Sequence, residues 1–427
     1  MAKLQQRGVD ICSRAVIKSV PVKRNRSSVR GGSLGRTEAP LLSARLREDR
    51  PRVASACRRL ARCIVTRGLR PGDPFPAQPE LRAELGMSND TLVYAMRLLR
   101  QSGIVSRKER FRTRVADLAP LARIGWTVGV AGPAAQGPGF SVFYADLMQR
   151  LLSALTRAGC TCRTYFRIPT PHWPENRLAD YPQLEQDVRE GRVDGILVLT
   201  NLALEEQRDL LREDIPVCHL GEWPQMPSAV LLDATEMVRH AYGLMRERGC
   251  RRILLVDTLA ALGDSAPTAV LRRVAAMAGG PKCETLSVTA TADTGPEIAG
   301  CLLQRPPRER PDGLIVTADH IAMWMAAAIA AAGGDHPLLA ARTNMHVPLH
   351  FALPVIRYEV DSEALVAEAC AMMQTRLLNP AAPVEVRRCG ARPPCGEEGD
   401  HPGELGDSLG LDQQGRPQPQ VMEFVTV

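Results

Sequence analysis

Between Ser88 and Arg114 the 427-residue chain gathers side chains whose chemistry suits a polyanion. Ser88, Asn89, Asp90, Thr91, Tyr94 and Arg97 fall in one short span, Gln78 precedes them, and Arg110, Arg112, Thr113 and Arg114 follow. Hydroxyl, amide and guanidinium groups donate to phosphate oxygens, and Asn also matches the paired donor and acceptor on the major-groove edge of adenine. The surrounding charge agrees. Residues 45–115 hold 17 Arg and Lys against 7 Asp and Glu, and residues 1–44 hold 9 against 2. The whole chain is only +7, so everything after Val115 is about −10. One end is suited to a polyanion such as duplex DNA, while the rest does something else.

Local signals say which elements position these groups. Val53, Cys57, Leu60, Ala61 and Ile64 recur at helical spacing and predict a helix with one apolar face, leaving Arg58, Arg59 and Arg62 toward the other. A tight Pro71-Gly72-Asp73 turn and a short helix through Leu85 follow, with Gly86 in the next turn. Ser88 caps a helix beginning at Asn89, because its hydroxyl accepts a bond from a first-turn amide. That helix packs through Leu92, Ala95, Met96 and Leu99 and turns Asn89, Asp90, Val93, Tyr94 and Arg97 outward. A short helix, a turn and a second helix is the geometry that puts a helix N-terminus into a major groove.

The stretch resembles the winged helix-turn-helix of the GntR family, over about 65 residues. The matching words are Gly68-Leu69, Pro71-Gly72-Asp73, Pro76, Leu81, Leu85-Gly86, Ser88, Thr91, Ala95, Leu98-Leu99, Gly103-Ile104 and Val115. The resemblance implies that Ser88, Asn89, Thr91 and Tyr94 approach phosphates or base edges and that Arg110, Arg112 and Arg114 lie on a wing. There are departures. Ala77, Gln78 and Pro79 stand where the family commonly has Ser-Glu-Arg, Asn89 replaces an Arg, and Arg110 and Arg112 replace wing glycines. Wing arginines shift contacts toward the phosphate backbone.

From Trp126 to about Leu378 short apolar runs alternate with amphipathic segments, the pattern of βαβ units and mostly parallel sheets. Strands are expected at WTVGVAG, TCRTYFR, DGILVL, PVCHL, AVLLD, RILLVD, DGLIVTA and PVIRYEV, and helices include residues 142–159, 236–249, 321–333 and 363–377. The fold class is therefore α/β, with a small winged helix-turn-helix domain ahead of a larger α/β part. VGVAGP, VDGILVL, IPVCHLGEW, VLLDATEMVRHAYGLMRERGCRRILLVD and PDGLIVTADHIAMWMAAAIAAAGG resemble the ligand-binding domain of LacI-type repressors and related periplasmic sugar-binding proteins. That resemblance implies two subdomains with a small molecule, often a sugar, in the cleft between them.

Open α/β sheets bind ligands at the carboxyl ends of their strands. On that rule the cleft candidates are Phe140, Ser141, Asn201, Glu222, Trp223, Arg272, Asp319 and His320. Aromatic rings and carboxylates suit a sugar, which packs a face on Trp and donates hydroxyl hydrogens to Asp. Blander roles compete: Trp223 as packing, Asp319 as a cap for a helix starting at Ile321, and Asp233 as a cap or hinge. Arg272-Arg273-Val274 and Ala341-Arg342-Thr343-Asn344 depart from the family's words, which points to an atypical ligand or a degenerate pocket.

The expected domains are a disordered basic tail (1–44), the winged helix (45–118), the LacI-like domain (124–380), and a Pro/Gly-rich segment (381–427) ending in a strand at VMEFVTV. No apolar run reaches 18 residues and the start has no signal-peptide core, so a cytoplasmic protein is expected. The 12 cysteines form no CxxC pair and read as thiols rather than a zinc or disulfide framework. An enzyme is disfavoured. The nearest precedent, a winged helix fused to a pyridoxal-phosphate aminotransferase, needs a Schiff-base lysine, and after residue 45 only Lys108 and Lys282 remain. No cofactor and no metal is implied. Together the resemblances imply a homodimeric, sequence-specific transcriptional regulator, a repressor, bound to a DNA operator and controlled by a small molecule such as a sugar. The alternative is a degenerate second domain that serves only to dimerise; a solute-binding protein fits least.

Overall fold

The computed structural model describes residues 51–107, 112–133, 142–168, 176–199, 201–222, 225–258, 265–276, 280–288 and 294–393. The winged helix comprises α1 (Pro51–Thr66), α2 (Gln78–Leu85), α3 (Asn89–Gln101) and the strands β1 (Val105–Ser106) and β2 (Arg114–Val115). Gly86, with φ 57, ends α2 in the left-handed conformation that a tight helix-to-helix turn needs. β1 and β2 pair antiparallel, and Pro74 adds a bridge to Arg114.

Among the described residues eleven parallel strands follow, in two sheets. The first subdomain contains β3 (Thr127–Gly132), α4 (Val142–Arg157), β4 (Thr161–Phe166), α5 (Pro182–Arg189), β5 (Gly195–Val198), α6 (Leu204–Arg212), β6 (Val217–Gly221) and β7 (Ala229–Asp233). The second contains α7 (Thr235–Glu247), β8 (Arg252–Asp257), α8 (Ala266–Ala275), β9 (Lys282–Ser287), α9 (Thr294–Gln304), β10 (Gly313–Val316), α10 (Asp319–Ala332), β11 (Leu338–Asn344) and β12 (Val355–Val360). The chain then returns to the first subdomain through α11 (Ser362–Leu378) and β13 (Val386–Gly390). The sheet orders are β13-β7-β6-β5-β3-β4 and β12-β11-β10-β8-β9.

Three strands absent from the sequence reading are β9, β11 and β13. The ordered domain accordingly runs past residue 380, because β13 adds to the edge of the first sheet beside β7. The strand expected at VMEFVTV and the tail at 1–44 lie outside the described residues. The helix expected at Ile321 begins at Asp319, with Ala318 in the N-cap position, so Asp319 is a first-turn residue and not the cap.

Where the chain changes subdomain, polar side chains fix the crossings. Asp233, one residue ahead of the Ala234 N-cap of α7, accepts the Thr235 amide at 2.9 Å and pairs with Arg388 at 3.1 Å, so it ties the first crossing to β13. Asp361 accepts the amides of Glu363 and Ala364 at the second. Its carboxyl is held below the usual range, first by the Ala364 amide and further by His346. A third crossing pairs Arg392 with Glu359 through backbone bonds of 2.8 and 3.1 Å.

α1 is buried on two faces. Val53, Cys57, Leu60 and Ile64 pack into the winged-helix core, as their spacing predicts. The opposite face, expected to point outward, docks on the first subdomain. Arg58, only 9% exposed, pairs with Asp194 at 2.7 Å and donates to the Gly125 carbonyl. Arg62 donates to the Leu377 carbonyl at 2.9 Å and lies over the Trp126 ring. One apolar cluster runs from Val53 through Ile124 and Trp126 into both subdomains.

Two consequences are measurable. Asp194→Ala leaves Arg58 buried without its partner and should cost about 3–5 kcal/mol of stability by chemical denaturation; a loss under about 1 kcal/mol contradicts the docking. Asp361→Ala should cost about 1 kcal/mol at neutral pH. Because the folded-state pKa is depressed, this contribution is present above the ordinary carboxylate range and fades as pH falls through it. Wild type and variant should therefore begin to draw together near pH 4 and converge only below the depressed folded-state pKa.

Candidate functional site

Two regions carry the chemistry: the outward face of α3 with the wing, and the cleft between the subdomains. In α3 the Ser88 hydroxyl accepts the Thr91 amide at 3.3 Å and lies 2.8 Å from the Thr91 hydroxyl, so both residues build the helix start. Leu92, Ala95, Met96, Leu98 and Leu99 are buried. Asn89, Asp90, Val93, Arg97 and Arg100 are exposed on the other side. The Arg97 guanidinium lies 5.9 Å from the centre of the Tyr94 ring. Gln78 is exposed at the first residue of α2.

On the wing, Arg112 is exposed and Thr113 is half-buried, its carbonyl accepting the Phe75 amide at 2.8 Å. Arg114 donates to the Gly72 carbonyl at 2.6 Å, which ties β2 to the Pro71-Gly72-Asp73 turn. It therefore has a structural bond in addition to its charge. Arg110 lies outside the described residues. The α3 N-terminus is exposed, with a neutral amide at its first position and guanidinium groups nearby, the kind of surface on which backbone amides and charge attract phosphate.

The cleft is lined by the carboxyl ends of strands from both sheets. Glu222 follows β6 of the first subdomain, and Arg342 projects from β11 of the second. They form an ion pair across the seam, with side chains 8% and 9% exposed. The Arg342 guanidinium also faces the Phe143 ring at 5.9 Å. Burial pushes the Glu222 carboxyl up and Arg342 opposes this, while Asp257 and Asp319 push the same way as burial. Tyr144 is raised by burial and by Glu222, which puts its phenol beside the same charges.

Of the sequence-derived cleft residues, Glu222, Asp319 and His320 belong to this cluster. Asp319 accepts the His320 amide at 2.7 Å and lies 3.3 Å from its Nδ1. His320 Nε2 is buried with no hydrogen-bond partner among the described residues. Asn201 is held in the first subdomain by Asn176, whose amide donates to its side chain at 2.6 Å, and Asn176 accepts from Arg167 at 2.7 Å. Phe140, Ser141 and Trp223 lie outside the described residues. Arg272 is a correction. It sits in the last turn of α8 and lines a groove of about 400 Å³ with Lys282, Cys283 and Thr285, at the amino end of β9 and away from the cleft.

Sequence reasoning missed Arg342, Phe143, Tyr144 and Asp257. The only signal was that Arg342 stands in a stretch that departs from the LacI pattern. Asp257 accepts from Ser265, and from Thr317 at 3.1 Å, at the carboxyl end of β8. Among the described residues ten cysteines are free thiols, and no group of three or more His, Cys, Asp or Glu could hold a metal ion. Among them too, no helix is long and apolar enough to cross a membrane.

Residues 53–115 match the family described as bacterial regulatory proteins, gntR family. The module is a gntR-type winged helix. Among curated proteins none matches the chain. Solved structures share the fold of the larger part. The Cra transcriptional dual regulator from Pseudomonas putida, crystallised with fructose 1-phosphate, is 18% identical with a TM-score of 0.52, covering 62% of this chain and 96% of its own. A LacI-type regulator from Bacillus cereus subsp. cytotoxis is 16% identical with a TM-score of 0.52, covering 65% and 100%. The gntR-type winged helix is thus fused to a two-lobed α/β domain with the LacI-like fold.

Arg112 and Asn89 separate charge from readout. Arg112→Ala should weaken binding to every DNA sequence and lower the slope of log affinity against log salt by about one unit. Asn89→Ala should relax discrimination at one base pair, by about 1–3 kcal/mol, in competition assays with a randomised site. Uniform weakening by Asn89→Ala contradicts a base-reading role.

Proposed function

We propose that the chain is a cytoplasmic regulator of transcription that binds an operator through the gntR-type winged helix and answers to a small molecule in the cleft. Docking of α1 on the larger domain carries this reading. Arg58 and Arg62 are spent on Asp194, Leu377 and Trp126, so the DNA-binding module is a rigid extension of the domain whose two lobes meet at Glu222 and Arg342. Asn89, Asp90, Tyr94, Arg97 and Arg112 face the duplex, with Gln78, Arg110, Thr113 and Arg114 at the margins. The acceptor-rich cleft suits a ligand with several donors. One such relative of the fold was crystallised with fructose 1-phosphate.

The protein acts as a symmetric homodimer on a palindromic site. Edge strands support this: Phe166 at the end of β4 is 42% exposed, Ile168 beyond it 46%, and Leu286 on β9 36%. Open sheet edges are normally covered, and these carry exposed apolar side chains. Binding of the intact chain to operators with altered half-site spacing tests the dimer. Affinity should fall at least tenfold when the half-sites move by half a helical turn, as fixed two-fold geometry requires; a footprint indifferent to spacing refutes it. In vitro transcription reads the sign, with repression expected.

A second reading has one observation in its favour. The Glu222–Arg342 pair ties the lobes together with the protein's own side chains, as a domain that only dimerises would. Operator affinity that no cleft ligand changes supports it.

A further inference from the structure

The pair across the cleft constrains what can bind there. Glu222 and Arg342 come from different subdomains, are each about nine-tenths buried, and neutralise one another. Asp257 and Asp319 act on Glu222 from nearby, and Arg342 acts on both Glu222 and Asp319, so carboxylates outnumber the guanidinium at the seam. Removing one partner of a buried pair strands the other charge, which costs far more than the pair contributes.

Each ligand class meets this differently. A purely anionic guest that takes Arg342 leaves Glu222 buried beside two like charges. A purely cationic guest that takes Glu222 strands Arg342. A neutral polyol has no charge to replace either partner and must fit beside an intact pair. A guest with a negative and a positive group replaces one ion pair by two and leaves no buried charge alone. Resting on the reading that the cleft holds an effector, we propose that this effector is a small zwitterion with an amine and a carboxylate, as in an α-amino acid. Its carboxylate accepts from Arg342, and its ammonium donates to Glu222 on the side of Asp319. Phe143 and Tyr144 cover the carbon between.

The intact chain is titrated by calorimetry and thermal denaturation with the common α-amino acids, fructose and fructose 1-phosphate. One or a few amino acids should bind and raise Tm, while the corresponding 2-oxo acid and the decarboxylated amine should each bind at least tenfold more weakly. Glu222→Gln should weaken the amino acid at least tenfold but the 2-oxo acid far less, and Arg342→Gln should weaken the amino acid at least tenfold but the amine far less. The double variant E222M/R342L, which leaves no charge unpaired, checks that lost binding is not lost folding. Tight binding of fructose or fructose 1-phosphate in place of the amino acids overturns the zwitterion and keeps the effector reading. Equal binding of the 2-oxo acid also overturns the zwitterion. Binding by none of the probes overturns both.

Discussion

The contact between Arg58 and Asp194 is the constraint on which the arrangement depends. Both groups are buried where the winged helix meets the first subdomain, and neither charge is tolerable there alone. Asp194 also exchanges bonds with Thr127 at the start of β3, so the pair fastens α1 to the first strand of the sheet and not to a loose surface segment. Arg62 adds the Leu377 carbonyl and the Trp126 ring. A DNA-binding module on a flexible linker keeps its own core and its own orientation; here α1 belongs to two cores at once.

The second buried pair, Glu222 with Arg342, has the opposite geometry. It joins two lobes that the fold already connects through three crossings at Asp233, Asp361 and Arg392. Asp146 reinforces the same seam, accepting from Asn344 of β11 and from Ser362 at the start of α11, each at 2.9 Å. Paired charges thus stand at both contacts, and where α1 docks the apolar cluster from Val53 through Ile124 and Trp126 continues beside them. A seam of paired charges can exchange partners without exposing apolar surface, whereas a shared apolar core cannot.

Much of this was legible in the sequence, for reasons of range. The turn between α2 and α3, the Ser88 cap and the buried stripe of α3 are set by neighbours within a few residues, and the strands β3, β5 and β10 by continuous apolar runs. What escaped depends on distant partners. Arg58 and Arg62 look like solvent-facing charge until Asp194 and Leu377 are brought beside them. Lys282–Ser287 is a polar edge strand with no apolar run, Leu338–Asn344 carries an Arg whose partner lies in the other lobe, and Val386–Gly390 becomes a strand only because β7 offers an open edge. Arg272 stands among the cleft candidates on strand-end reasoning alone, whereas in the fold it lies in the last turn of α8, beside the amino end of β9.

α11 begins at the seam, where Ser362 meets Asp146 and Asn344, and in its last turn the Leu377 carbonyl receives Arg62 of α1. Its 17 residues make a rod of about 25 Å, and its side lies directly on the sheet, where a Cβ at Gly195 would collide with Met373 and Leu377. Tilting such a rod by about 5° at the lobe end moves its far end by about 2 Å. That is the scale on which a helix in a major groove gains or loses its register. Any displacement of this helix at the lobes would therefore reach the point where the winged helix is attached.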